Sequence, residues 1–129
     1  KAMLQYQVAR ELAKHCSLYS IPKGLWIDLG SGTGLLADAI EELHPQQEVI
    51  RVDGSPKMLN CHPAGKISQV WDLNLGLPKW SKTPNLLASS FALHWLKKPS
   101  TKLKEWFEAL PHGGWLALAV PVKGSFPQW

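Results

Sequence analysis

Residues 26–38 read WIDLGSGTGLLAD. An apolar run, interrupted only by Asp28, leads into Gly30, Gly32 and Gly34, with small hydroxyl residues between them. Apolar residues then resume at helical spacing, with Leu36, Ile40 and Leu43 on one face. A buried strand, a glycine turn and a helix in succession form the opening unit of an open α/β sheet. The glycines do not fit a dinucleotide fingerprint G-x-G-x-x-G, because Leu35 stands where the third glycine would fall. Asp28 is a second objection, since a carboxylate repels a pyrophosphate and attracts an ammonium or sulfonium group. The loop therefore suits a nucleoside bearing a cationic amino-acid portion, and a nicotinamide-dependent oxidoreductase is disfavoured.

The same alternation continues outward. AMLQYQVARELAKHC predicts an opening helix with Leu4, Val8, Leu12 and Cys16 as its apolar stripe, closed by Pro22 and Gly24. Strands are expected at 25–29, 48–53, 67–71, 85–90 and 115–120. Ser55-Pro56 has the form of an N-cap followed by proline and opens a short helix through Met58 and Leu59. Ser100 opens another, with Leu103, Trp106, Phe107 and Leu110 on its packing face, and Gly113-Gly114 turns the chain into WLALAV. Strands that are apolar almost throughout, separated by helices, predict a mostly parallel Rossmann-like sheet with helices on both faces. Trp26 and Trp115 are expected in its core. Ligands of such sheets bind beyond the carboxyl ends of the strands. Asp53 ends the second strand nineteen residues after Gly34, where an acid can accept both hydroxyls of a ribose.

Composition limits the alternatives. The chain has 129 residues, 45% hydrophobic and 19% charged, enough for one globular domain, 1–129, with a real core. No apolar run approaches the roughly 20 residues that span a bilayer, and no signal peptide opens it, so a cytoplasmic setting is expected. Cys16 and Cys61 make neither a disulfide framework nor a metal spacing, and no metal is expected. The net charge of +4 permits an acidic partner without naming one. The initial lysine suggests a processed or partial chain.

DLGSGTG resembles the first motif of the class I S-adenosylmethionine-dependent methyltransferases, and VDGSPKML resembles their second, acidic motif. WDLNLGLP resembles the segment after their third strand, and LPHGGWLALAV their turn into the fifth. Together these motifs span roughly residues 25 to 120. The resemblance implies S-adenosylmethionine as cofactor. Gly30 and Gly32 would admit its methionyl portion and Asp28 would favour its positive charge. Asp53 would hold the ribose, Asp72 would read the adenine amino group with Leu73 beside the ring, and Ser89 would lie near the amino-acid end. Gly54 is carried over as a cofactor position, although an apolar residue is usual there; Met58 would supply that contact. Asn85 replaces an aspartate common at the start of the fourth strand.

Within the superfamily, LQYQVARELAK, SSFALHWL and PVKGSFPQ are similar to the malonyl-acyl-carrier-protein O-methyltransferases of biotin synthesis. This implies in-line methyl transfer to the carboxylate of a malonyl thioester. A carboxylate acceptor is already ionised and needs no base, so the catalytic residues are left unassigned, with His94 as the weak candidate. Trp95 is a candidate for substrate contact, Trp80 and Trp129 for an apolar mouth, and Gln5 and Gln7 for the cofactor's methionine end. Lys97, Lys98, Lys102 and Lys104 would dock an acidic acyl-carrier protein or remain a solvated face. No membrane partner is expected, and nucleic acid is disfavoured because ASSFALHW is not the element of amino-methylating DNA enzymes. The family continues beyond residue 129 with antiparallel strands and helices that build the acyl pocket. The chain is therefore expected to lack those strands, as the cofactor half of a methyltransferase. The alternatives are a cofactor-binding module without turnover and a methyltransferase of another small molecule.

Overall fold

A computed structural model describes residues 2–120. PVKGSFPQ and Trp129 lie outside the described residues. Helix α1 (Ala2–Ser17) precedes strand β1 (Trp26–Leu29), helix α2 (Leu35–Leu43), strand β2 (Val49–Asp53) and the short helix α3 (Pro56–Leu59). Strand β3 (Ser68–Val70), strand β4 (Leu86–Ser90), helix α4 (Pro99–Glu108) and strand β5 (Trp115–Ala119) follow. The strands form one sheet in the order β3-β2-β1-β4-β5, and every pairing is parallel. The expected Rossmann-like α/β architecture is therefore present. Two single 3₁₀ turns, Leu73–Leu75 and Leu93–Trp95, occupy segments where the sequence predicts no helix or strand.

Strand alternation divides the core into two layers. Trp26, Val49, Leu86 and Ala88 face α1 and α2, where they meet Ala9, Ala13, Leu36 and Ile40. Ile27, Leu29, Val52 and Leu87 face the other way, onto Trp106 of α4 with Leu103 and Leu110 beside it. Helices thus cover both faces.

Four packing expectations need correction. The buried seam of α1 runs through Ala9, Ala13 and Cys16 rather than Leu4 and Val8, because alanines let α1 approach α2 closely. Leu43 is exposed at the last turn of α2. Phe107 is 68% exposed, since Trp106, with Leu103 and Leu110 beside it, fills the gap between α4 and the sheet. Trp115, at 37% exposure, is not core: it begins a strand that, among the described residues, has a neighbour on one side only, and its ring lies 4.7 Å from that of Tyr19. Helix α4 begins at Pro99, one residue before Ser100. Asn85 explains its own departure from aspartate. Its Nδ2 donates to the Lys23 carbonyl at 2.8 Å, which a carboxylate cannot do.

Candidate active site

A cavity of about 540 Å³ opens at the carboxyl ends of β1, β2 and β4, where a doubly wound sheet is expected to bind its ligand. Register sets which side chains reach it. Asp28 pairs with Arg51 on one side and Ala88 on the other, so positions 28, 51, 53, 88 and 90 share the α1–α2 face of the sheet. Asp28, Asp53 and Ser90 accordingly line the cavity. So do Gly30, Gly32, Gly54, Asp72 and Leu73, which brings together every expected cofactor position except Ser89.

Ser89 is a correction. It points to the opposite face, where its buried hydroxyl donates to the Leu29 carbonyl at 2.8 Å and ties β4 to β1. A shift of one residue in a strand reverses the side-chain direction, and Ser90 takes the wall position. His94 lies outside the cavity wall, its ring packed 4.8 Å from that of Trp95. Trp95 does line the mouth and is 79% exposed. Trp80 instead packs against the α4 layer and donates its indole N–H to Gln69 Oε1 at 3.2 Å. Gln5 reaches the wall from α1, and Gln7 does not. Met58, beside Gly54, supplies apolar surface.

The glycine turn is held by backbone bonds before any ligand enters. The N–H groups of Gly30 and Ser31 both donate to the Val52 carbonyl, at 2.8 and 2.9 Å. Gly30 has φ +70, and a Cβ there would lie 2.4 Å from the Ala92 Cβ, so both torsion and space require glycine. The Gly32 N–H donates to Asp53 Oδ2 at 2.8 Å, and the Ser55 N–H to Oδ1 at 2.8 Å. Each Asp53 oxygen keeps a further acceptor position. Asp72 caps the 3₁₀ turn through Oδ1, 2.9 Å from the Asn74 N–H. Across the cavity, Phe91 takes a left-handed φ of 57, with its N–H donating to the Ala119 carbonyl at 2.6 Å. Such backbone is strained in a non-glycine residue, and surrounding contacts must hold it.

Electrostatics separate the three acids. Asp28 is 1% exposed, and its Oδ2 has no hydrogen-bond partner. Burial pushes its carboxyl up from 3.8 to about 7; Arg51 and the Ala37 N–H pull it down, while Asp53 and Asp38 add to the rise. Under the glycine turn, Arg51 is fully buried. Its guanidinium meets Asp38 Oδ1 and Glu41 Oε1, each at 2.7 Å, which compensates the charge. Burial raises the Glu41 carboxyl, but Lys66, the Val49 N–H and Arg51 outweigh it and hold the group below its usual range. No lysine, arginine or histidine lines the cavity among the described residues. Sequence reasoning missed this Arg51 cluster, since an arginine inside an apolar strand reads as a surface charge.

A buried acid with an unpaired oxygen, two further carboxylates and no basic side chain at the wall suit a ligand carrying cationic and hydroxyl groups. The same donor set fits S-adenosylmethionine and opposes a dinucleotide pyrophosphate. No cluster of three or more metal-ligating side chains occurs among the described residues, and no helix there is long and apolar enough to cross a membrane.

Comparisons with known proteins agree with this chemistry. A family model described as a methyltransferase domain matches residues 27–118. The trans-aconitate 2-methyltransferase of Mycobacterium ulcerans is 33% identical over 101 residues, covering 78% of this chain and 37% of its own. That of Pseudomonas paraeruginosa is 31% identical over 122 residues, covering 93% and 43%. The chain thus spans about two fifths of the length of these curated relatives. The structure of an S-adenosylmethionine-dependent methyltransferase from Mesorhizobium loti superposes with a TM-score of 0.67 at 28% identity, over 88% of this chain and 53% of that one. A glycopeptide N-methyltransferase solved with S-adenosylmethionine has a TM-score of 0.67 at 18% identity, over 85% and 53%, and shares the fold. The curated relatives are named for trans-aconitate and not for a malonyl thioester, so the resemblance holds at the level of the family. Matched through most of its length by the family model and folded like solved members, the chain belongs to the methyltransferase-domain family, of the class I kind that uses S-adenosylmethionine.

Proposed function

We propose that this chain is the cofactor-binding part of a methyltransferase that esterifies a carboxylate of a small organic acid. The observation that carries the reading is the cavity wall of three aspartates without a basic side chain among the described residues. Bound S-adenosylmethionine supplies an activated methyl on a cationic sulfur. Asp28 favours the ligand's positive charge from beneath the turn, and the free acceptor positions of Asp53 receive the ribose hydroxyls. Asp72 has one oxygen committed to Asn74 and the other available for the adenine amino group, with Leu73 and Met58 against the ring. Trp95 and Phe91 shape the acceptor side of the mouth. No general base is required, because a carboxylic acid is ionised at neutral pH. The role of the protein is then to position the acceptor and exclude water.

The relatives named for trans-aconitate favour a free polycarboxylic acid as acceptor. The SSFALHWL segment favours a malonyl thioester on an acyl-carrier protein instead. For that docking, Lys97, Lys98 and Lys104 are exposed, whereas Lys102 is paired with Glu105 at 3.3 Å. Calorimetric titration with S-adenosylhomocysteine tests the cofactor site, with NAD as a silent control. Asp53→Ala removes the acceptor for two backbone N–H groups and for the ribose, and weakens binding by about thirtyfold or more. Absence of binding by the folded chain overturns the reading. Single-turnover methylation of trans-aconitate and of a malonyl thioester then identifies the acceptor; binding without either ester leaves a binding module.

A further inference from the structure

We propose that His62 is a positioning residue for the cofactor turn: as a neutral imidazole it holds the Gly32 carbonyl, so that protonation of His62 loosens the turn and weakens cofactor binding. The proposal rests on the reading that the cavity takes S-adenosylmethionine. His62 does not line the cavity; it stands just after α3, where its N–H donates to the Leu59 carbonyl at 3.2 Å. Its Nε2 lies 2.7 Å from the Gly32 carbonyl oxygen and its Nδ1 2.9 Å from Arg51 Nη1. A carbonyl can only accept and a guanidinium can only donate. The geometry therefore requires the proton on Nε2 and the lone pair on Nδ1, which is the neutral ring.

The consequence for the turn is specific. The Gly32 N–H is fixed to Asp53 and the Gly32 carbonyl to His62, so two successive peptide groups are clamped. Because a trans peptide is planar, fixing that carbonyl also directs the Thr33 N–H away from His62. Asp53 in turn accepts the Ser55 N–H, and Ser55 caps α3, whose last residue, Leu59, accepts the His62 N–H. The bonds close a ring from the turn through Asp53 and α3 back to the turn. Gly34 completes the fit: a Cβ there would lie 2.8 Å from the imidazole.

The charged groups around the ring make its neutrality matter. Arg51 of β2 faces it directly, backed by Asp38 and Glu41 of α2, and Lys66 reaches the same Glu41 oxygen at 2.8 Å. Asp53, at the end of β2, accepts the Gly32 N–H of the same turn, and Asp28 of β1 lines the cavity. Arg51 and Lys66 balance Asp38 and Glu41, so the cluster is neutral while His62 is neutral. A second ring proton would set two donors against each other across the 2.9 Å contact and leave a net positive charge there.

The test compares wild type, His62→Ala and His62→Gln by calorimetric titration with S-adenosylhomocysteine across the range in which imidazoles titrate, roughly pH 5 to 8. His62→Ala is expected to weaken binding about tenfold at the upper end of that range, where the part-buried Gly32 carbonyl loses its donor. His62→Gln can donate with its amide nitrogen and accept with its oxygen, and is expected to keep most of the affinity. Asp28 titrates in all three proteins, so the diagnostic is the difference in slope: wild type loses affinity more steeply on acidification than His62→Gln. Equal slopes, or undiminished binding by His62→Ala, overturn the proposal. A second readout needs no ligand. In the free protein at the upper pH, ring-nitrogen shifts should report the neutral Nε2–H tautomer, and protection of the Gly32 amide should fall on acidification in wild type but not in His62→Gln. The other tautomer, or a charged ring, overturns the proposal even in a chain that binds no cofactor. Failure of wild type to bind, with the expected tautomer and protection, would instead refute the cofactor reading alone.

Discussion

Gly30 shows how tightly the turn is specified by one missing methyl. Gly30→Ala introduces both a left-handed torsion and a Cβ 2.4 Å from that of Ala92, and should destabilise the fold by about 2 kcal/mol or more. Ala92→Gly in the same background should recover the steric part and leave the torsional part, which urea midpoints of the two variants would separate. Ser89 offers the converse check. Its hydroxyl bonds the Leu29 carbonyl away from the cavity, so Ser89→Ala should cost about 1 kcal/mol of stability and leave the affinity for S-adenosylhomocysteine unchanged. A parallel loss of affinity would return Ser89 to the site. Both residues show how far sequence reading extends. Gly30 sits inside a recognisable DLGSGTG, whereas choosing between Ser89 and Ser90 needs the register that pairs Asp28 with Ala88, a contact across the sheet that local pattern does not contain.

At the scale of elements, α1 and α2 meet along alanines, and Cys16 lies buried at the end of that seam while Cys61 is exposed beyond α3. Burial pushes the Cys16 thiol up to about 11, which keeps it from forming the reactive thiolate. A native chain should therefore release one equivalent of colour with an aromatic disulfide reagent, from Cys61, and the second only on unfolding. Cys61→Ser should abolish the first phase. The alternation of strands and helices was legible because β1, β2, β4 and β5 are apolar runs bounded by glycine, proline and polar turns. The 3₁₀ turns at 73–75 and 93–95 were not, since three residues are too few to show a period. The exposure of Phe107 and Trp115 was also hidden: bulk and apolarity suggest burial, and only the finished packing shows which aromatic finds room. The pairing of Arg51 with Asp38, Glu41 and His62 links β2, α2 and the segment after α3, and no local signal announces it.

For the molecule as a whole, Asp28 makes stability depend on pH in an unusual direction. The folded state releases its proton near 7 and the unfolded chain near 3.8. Between those values the folded state holds the extra proton, so stability should fall as pH rises through that window, by up to about 1.4 kcal/mol per unit from this group, and stay level above it. Asp28→Asn should remove that slope in urea unfolding measured across the window. A cation placed beside Asp28 favours the ionised form, so the affinity for cofactor should rise with pH over the same interval. The parallel sheet has a further consequence, measured in time. Central strand β1 pairs with β2 on one side, but on the other with β4, and the Ser89–Leu29 bond joins residues 60 positions apart. A ribosome adding about 5–20 residues per second needs about 3–12 seconds to deliver that second neighbour. Throughout that interval the middle strand of the sheet waits with one edge bare, so the nascent chain is a natural client for a holding chaperone, and the pace of translation before residue 86 governs how long the wait lasts.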